Sequence, residues 1–182
     1  QRSGNWKKFY QNGFLQEESI FKNNKRNGFS TEYHSNGKKR FEGAYLKGLL
    51  NGYVKFWYPN GKLEMEGLMN KDLHDSIWMF YHENGSLGSK GNFIMDLQDG
   101  IWEYFYETGE VWKTGKFLEG KKDGVSTTFY EDGKKFHEGP YAAGLEEGKW
   151  TSWFENGEIK DQGFFSAGKM SGLWQGWFEK GR

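Results

Sequence analysis

The 182-residue sequence contains no cysteine, which excludes disulfides and thiolate-ligated metal centres. It also lacks any apolar run long enough to cross a membrane. No signal peptide is visible and the chain opens on Gln1 rather than Met, so a removed leader or a fragment is expected. Apolar residues make up only 35% of the chain, fewer than a compact globule usually carries. Net charge is missing too: 25 basic residues balance 25 acidic ones, which argues against a nucleic-acid partner. The balance is uneven along the chain, with 14 basic and 9 acidic residues in 1–91 against 11 and 16 in 92–182. Drift of surface charge accounts for this, or it is a lengthwise dipole that favours head-to-tail association.

What the chain does have is aromatic rings, 19% of all residues, and 27 glycines. Large rings bury area efficiently, so the composition is not that of a disordered chain. The glycines fall in register. Gly13, Gly37, Gly61, Gly85, Gly109, Gly133, Gly157 and Gly181 lie 24 residues apart without a gap. Numbering the repeat by its first copy, position 9 is aromatic in all eight copies, from Phe9 and Tyr33 to Trp177. Position 6 is Trp in five copies: Trp6, Trp78, Trp102, Trp150 and Trp174. Position 19 is Gly from Gly43 onwards, and position 4 is Gly except at Ser76. Position 24 admits only Gly, Asn or Asp. Eight tandem repeats, beginning near residues 4, 28, 52, 76, 100, 124, 148 and 172, therefore fill the chain as a single array over 1–182.

Each repeat holds two segments rich in aromatic and β-branched residues, at positions 5–10 and 15–22. Between them stands a turn such as Glu155-Asn156-Gly157, where Gly accepts positive φ without a Cβ clash. The second junction centres on position 24, whose three permitted residues best tolerate the left-handed region. Apolar spacing does not follow a 3.6-residue period, so no helix is expected. The fold class is all-β: an elongated single-layer antiparallel sheet of eight hairpins. At about 4.8 Å per strand it would be on the order of 75 Å long. Alternation places positions 6, 8 and 10 on one face and 5, 7 and 9 on the other. The glycines of position 19 are expected to leave room for a ring from the neighbouring strand.

The segments Gly148 to Gly157 and Gly163 to Gly168 carry a family resemblance. The repeat resembles the MORN repeat (membrane occupation and recognition nexus), in the second variant found in bacterial proteins of the YwqK-like antitoxin type. The resemblance covers the whole chain. It implies a sheet of successive hairpins and a role in protein–protein or membrane association, with no catalytic motif residue. No compartment is assigned: the bacterial cytoplasm and, if a leader was removed, the cell envelope are both open. Departures at Ser19, Asn24, Asp72, Ser76 and Asp96, and at Ser30, Val54 and Ser126 in the Trp position, are expected to weaken the motif in those copies.

No constellation of residues promises chemistry, so neither an enzyme nor a cofactor is expected. His34 and His82 share a position but lie two repeats apart, roughly 19 Å, too far for one metal ion. His74 falls in a junction and His137 in a second strand. The recurrent Glu83, Glu107, Glu131, Glu155 and Glu179 would stand about 10 Å apart along a row of turns, without a cleft. No Gly-rich segment ends in Gly-Lys-Ser/Thr or leads into a helix, as a phosphate loop requires.

In a repeat protein, function can lie where copies break the pattern. Position 8 is polar or Gly towards both ends but becomes Phe56, Phe80 and Tyr104 in three consecutive central copies. Beside them Tyr58, His82 and Tyr106 would line the same face. This set is the expected partner-binding row, unless the sheet curls and the rings fill its own groove. Leu49 with Leu50, and Trp112 with Phe136, are lesser apolar breaks. No cap is apparent at either end, so open edges invite end-to-end self-association or a longer natural chain. The expected function is a non-enzymatic scaffold for a protein partner, with an antitoxin or immunity-type role as one form of it. Alternatives are a membrane surface, served by Lys7, Lys8, Lys38, Lys39 and Arg40, or carbohydrate stacked on the aromatic rows.

Overall fold

The structure, a computed structural model, describes residues 1–180; Gly181, the eighth glycine of the register, lies outside them. The described residues hold strands and no helix. The strands are β1 (Gly4–Phe9), β2 (Leu15–Lys22), β3 (Lys25–Tyr33), β4 (Lys39–Leu46), β5 (Leu49–Trp57), β6 (Leu63–Asn70), β7 (Leu73–Tyr81) and β8 (Leu87–Ile94). They continue as β9 (Leu97–Phe105), β10 (Val111–Leu118), β11 (Lys121–Phe129), β12 (Lys135–Ala142), β13 (Leu145–Glu146), β14 (Gly148–Trp153), β15 (Ile159–Ser166) and β16 (Lys169–Gly176). Strand order in the antiparallel sheet follows chain order, with the short β13 paired to β12 beside that path. Two compact units result: residues 1–87 with 93–96, and residues 88–92 with the chain from 97 onwards.

The first strand of a full repeat runs over positions 1–9, longer at its start than the sequence suggests. The reason is the junction before it. Positions 23 and 24 both have positive φ, as in Asn23 (51°) with Asn24 (64°) and Lys71 (53°) with Asp72 (68°). Two consecutive left-handed residues make the tight hairpin turn whose twist suits flanking strands. Its position-24 amide returns to the repeat's own start: Asn24 N–H donates to the Arg2 carbonyl and Asp72 N–H to that of Leu50, both at 3.0 Å. Where position 24 is Asn or Asp, its side chain adds a second bond. Oδ1 of Asn24, Asp72 and Asp96 accepts from the amides of Arg2, Leu50 and His74 at 2.6 Å. These departures from glycine keep the turn geometry and add a contact.

The other turn spans positions 10–13. Gly13 N–H donates to the Tyr10 carbonyl at 3.0 Å, and Gly13 takes φ +86°. Asn12 contributes its side chain: Oδ1 accepts from Phe14 N–H, and Nδ2 donates to the Ser35 carbonyl of the next turn at 2.9 Å. Two register shifts per repeat complete the pattern. One falls between positions 8 and 9, and the other lies opposite position 20, as between Ser19 and Phe21. At the latter the chain turns through position 4, with Gly28 at φ +130° and Gly52 at +115°.

The expected room beside the position-19 glycines is filled by the Trp of the following repeat. In the first unit, a Cβ on Gly67 would lie 2.3 Å from Trp78 Cδ2. In the second, Trp102 lies on Gly91, Trp150 on Gly139 and Trp174 on Gly163 as closely. Each indole N–H donates to the carbonyl at the register shift: Leu68 at 3.0 Å for Trp78 and Pro140 at 3.2 Å for Trp150. Copies without Trp fill the place in other ways. Ser30 hydrogen-bonds to Ser19, Val54 packs on Gly43, and Ser126 donates to the Thr114 carbonyl beside Gly115. In the first unit this contact centres a core of Phe41, Val54, Met69 and Trp78, flanked by Tyr45, Leu50, Phe56, Met65, Phe80 and Phe93. In the second, Trp150 meets Tyr141 and Phe165 edge-on at 5.2 and 5.9 Å, a favoured ring geometry.

Two glycines of the same position should therefore respond differently. Gly67→Ala drives a methyl into the Trp78 ring and should cost about 3 kcal/mol. Gly115→Ala meets Ser126 Oγ only at 3.5 Å and should change stability by less than about 1 kcal/mol. Ser76 holds the left-handed position 4 (φ 59°) with a Cβ, so Ser76→Gly should stabilise by about 1 kcal/mol. Urea denaturation of the three variants measures all of these.

Candidate interaction surface

Each unit presents two faces, set by strand alternation. In the first unit the inner face carries the core. Phe56 lies 4.9 Å from the Phe41 ring and Phe80 stacks on Trp78 at 6.0 Å; both are half-buried. They form part of the packing around the buried cluster. In the second unit Tyr104 is likewise half-buried, 6.1 Å from Trp102 and 5.8 Å from Trp112. Burial pushes its phenol up, outweighing a hydrogen bond with Gln98.

Tyr58, His82 and Tyr106 stand at position 10, which has left the strand to open the turn: their amides donate to Lys62, Ser86 and Glu110 carbonyls. The Tyr58 hydroxyl donates to the Tyr81 carbonyl at 2.8 Å and Tyr106 to Phe129 at 2.7 Å. Tyr10, His34 and Tyr130 make the same link, always to the residue 23 positions on. Position 10 thus ties one repeat's turn to the next. Of the lesser breaks, Leu49 is exposed while Leu50 packs on the core. Trp112 and Phe136 pack beside Tyr106 and Tyr130.

Several charged groups of the first unit are paired. Arg26 joins Glu17 at 2.7 Å and Glu32 at 3.5 Å and donates to the Tyr45 hydroxyl. Burial acts to raise the Glu17 carboxyl, but the Ser19 hydrogen bond and the Arg26 charge hold it below the usual glutamate range. Of the basic residues that a lipid surface would use, Arg40 pairs with Glu32, Lys39 with Glu42 at 2.8 Å and Lys7 with Glu18 at 3.4 Å. The histidines are dispersed. His74 pairs with Asp96 and His137 with the Thr128 hydroxyl, both at 2.6 Å. Asp96 serves the junction turn as Asn24 and Asp72 do in copies without histidine. Among the described residues no three His, Asp or Glu side chains gather as a metal site.

The outer faces were not singled out by the sequence reading. In the first unit Phe29, Tyr53 and Ile77, all at position 5, are exposed at 53%, 50% and 63%. Exposed Ile20, Leu46, Leu49 and Leu73 belong to the same unit. Cross-strand pairing sets Phe29 against Ala44 and Tyr53 against Leu68, so the row has apolar neighbours. Beside it Tyr81 donates to Glu66 at 2.8 Å, and burial together with that carboxylate pushes the phenol up to about 12. In the second unit Ile101, Val125 and Leu173 occupy the same position, again exposed. The signal was available, since position 5 is apolar in six of eight copies. It was hidden because a strand starting there gives no indication of which face closes.

The MORN repeat variant family matches residues 2–23, 50–71, 98–118, 122–143 and 146–167, which is 109 of the 182 residues. The skipped stretches 24–49 and 72–97 contain Asn24, Ser30, Asp72, Ser76 and Asp96, where the copies depart from the motif. No curated protein matches the chain. The register of matches is that of the hairpins, with the Trp-on-Gly contact recurring in step with it. By sequence and by fold the chain belongs to the MORN repeat variant family, whose repeats generally serve as interaction scaffolds.

Proposed function

We propose that this chain is a non-enzymatic scaffold that binds a protein partner, and that the first unit's outer face is the contact surface. The observation that carries this reading is the exposed row Phe29, Tyr53 and Ile77 with its apolar surroundings. Contiguous exposed apolar side chains on a folded sheet mark interaction sites, and aromatic residues dominate binding energy at such sites. The inner-face rings Phe56 and Phe80 are already engaged in holding the unit together. A protein is favoured over a lipid surface because Lys7, Lys39 and Arg40 are paired with carboxylates, leaving fewer free cations for anionic headgroups. The resemblance to YwqK-like antitoxin proteins makes a toxin-type polypeptide the first partner to try. The non-enzymatic reading is supported by His74 and Asp96, which serve a turn that other copies build without them.

Affinity capture from source cells should separate the surfaces. A triple variant with Phe29→Ser, Tyr53→Ser and Ile77→Ser should keep its thermal transition and lose the captured protein. Phe56→Ser with Phe80→Ser should instead destabilise the fold by about 3 kcal/mol or more per ring. Retention of the partner by the folded outer-face variant would refute the assignment. Binding to anionic liposomes or saturable binding on a glycan array, with no protein captured, would favour lipid or carbohydrate.

A further inference from the structure

The inner face of the second unit is interrupted near its end. Position 8 carries Phe56 and Phe80 in the first unit but Ser152 and Gly176 here. Where those copies have rings, a cavity of about 310 Å³ opens against Trp150, Phe165 and Trp174, with Phe136 and His137 also lining it. One long side chain fits that space.

Two polar groups at the cavity wall make no hydrogen bond or ion pair among the described residues. The Ser152 hydroxyl is a buried oxygen without a hydrogen bond, a condition that calls for explanation in a native fold. Asp161 pairs by backbone with Ser152 on one side and Gly176 on the other. Its carboxylate is half-buried and makes no ion pair or side-chain hydrogen bond among the described residues. Gly176 places no side chain over it; a Cβ there would meet only the Lys160 carbonyl, at 3.8 Å.

The surrounding groups fix what this carboxylate can receive. The indole N–H groups of Trp150 and Trp174 are committed to the Pro140 and Phe164 carbonyls, and Trp150 is buried between Gly139 and His137, so the half-buried Trp174 offers a π face and neither ring a donor. Both π faces and a carboxylate attract a cation. His137 does not supply it at neutral pH: burial and the charges of Lys113 and Lys122 push its imidazole down, against the pull of Asp161. Exposed Lys160 also borders the cavity, but its ammonium stands over the Phe154 ring at 6.0 Å.

We propose that this cavity receives an arginine side chain of the protein partner, its guanidinium paired with Asp161 and stacked on the Trp174 indole. Arginine suits the site better than lysine because its planar cation stacks and forks onto a carboxylate at once. The inference rests on the reading of the chain as a protein-binding scaffold, and adds a polar anchor to it.

The test is calorimetric titration of the full chain with acetyl-Gly-Arg-Gly-amide and with the same peptide carrying citrulline. The arginine peptide should bind, and citrulline or Asp161→Asn should weaken binding at least about tenfold. Ser152→Phe, which restores the ring found at Phe56 and Phe80, should abolish binding without lowering the melting temperature. If that variant does not fold, Asp161→Asn carries the test. Equal binding of both peptides, no binding of either, or binding of a neutral sugar that Asp161→Asn leaves unchanged would overturn the proposal. A partner still captured through the outer face in those cases would leave the scaffold reading standing alone.

Discussion

The packing of both units centres on one recurring contact, an indole laid flat against the backbone of the preceding repeat. A single hairpin has no second layer to bury its rings against, and two strands alone are marginal in water. The missing side chain at Gly67, Gly91, Gly139 or Gly163 lets Trp78, Trp102, Trp150 or Trp174 reach main-chain distance. The same ring meets a polar requirement. The register shift puts a carbonyl at position 20 within its reach, and the indole N–H takes it up. One side chain thus provides apolar cover and hydrogen-bond satisfaction, the two conditions for burying backbone.

The turns bind the repeats along both margins of each unit. At one margin the position-10 hydroxyl reaches the carbonyl 23 residues on, as Tyr10 does to Tyr33 and Tyr130 to Trp153. At the other, the position-24 amide closes on position 2 of its own repeat, as Gly144 does to Lys122. Contacts of this kind join near neighbours, so stability accumulates repeat by repeat. They also allow the strand interiors to vary, and it is there, at positions 5 and 8, that exposed rings and the cavity at Ser152 arise.

The repeat, the all-β class and the need for a small residue beneath a ring were legible because each depends on a residue type the backbone or a neighbour enforces. Glycine is required where φ is positive, as at Gly13, and where a ring lies on the chain, as at Gly67. The left-handed position 23 was not legible. It holds Lys47, Lys71, Met95, Glu119 and Ala143, residues that show no preference for that conformation and adopt it because position 24 dictates the turn. The place of position 10 in the turn was not legible for a related reason: alternation counts residues along a strand and does not see that the chain has already turned at Tyr58. The cavity by Asp161 was visible only as two small residues at position 8, whose neighbours across the strands the sequence could not name.

The Trp-on-Gly contact crosses the boundary between copies, since position 19 belongs to one repeat and position 6 to the next. Ser19 is matched to Ser30, Gly43 to Val54, Gly67 to Trp78 and Gly115 to Ser126. Copies cut at their turns are therefore not interchangeable. Excising residues 24–71 would bring Ser19 under Trp78, setting a hydroxymethyl group where the ring tolerates no Cβ. The segment that duplication can move intact runs from the second strand of one copy through the first strand of its successor, so the gene's natural seams lie out of phase with its visible motif.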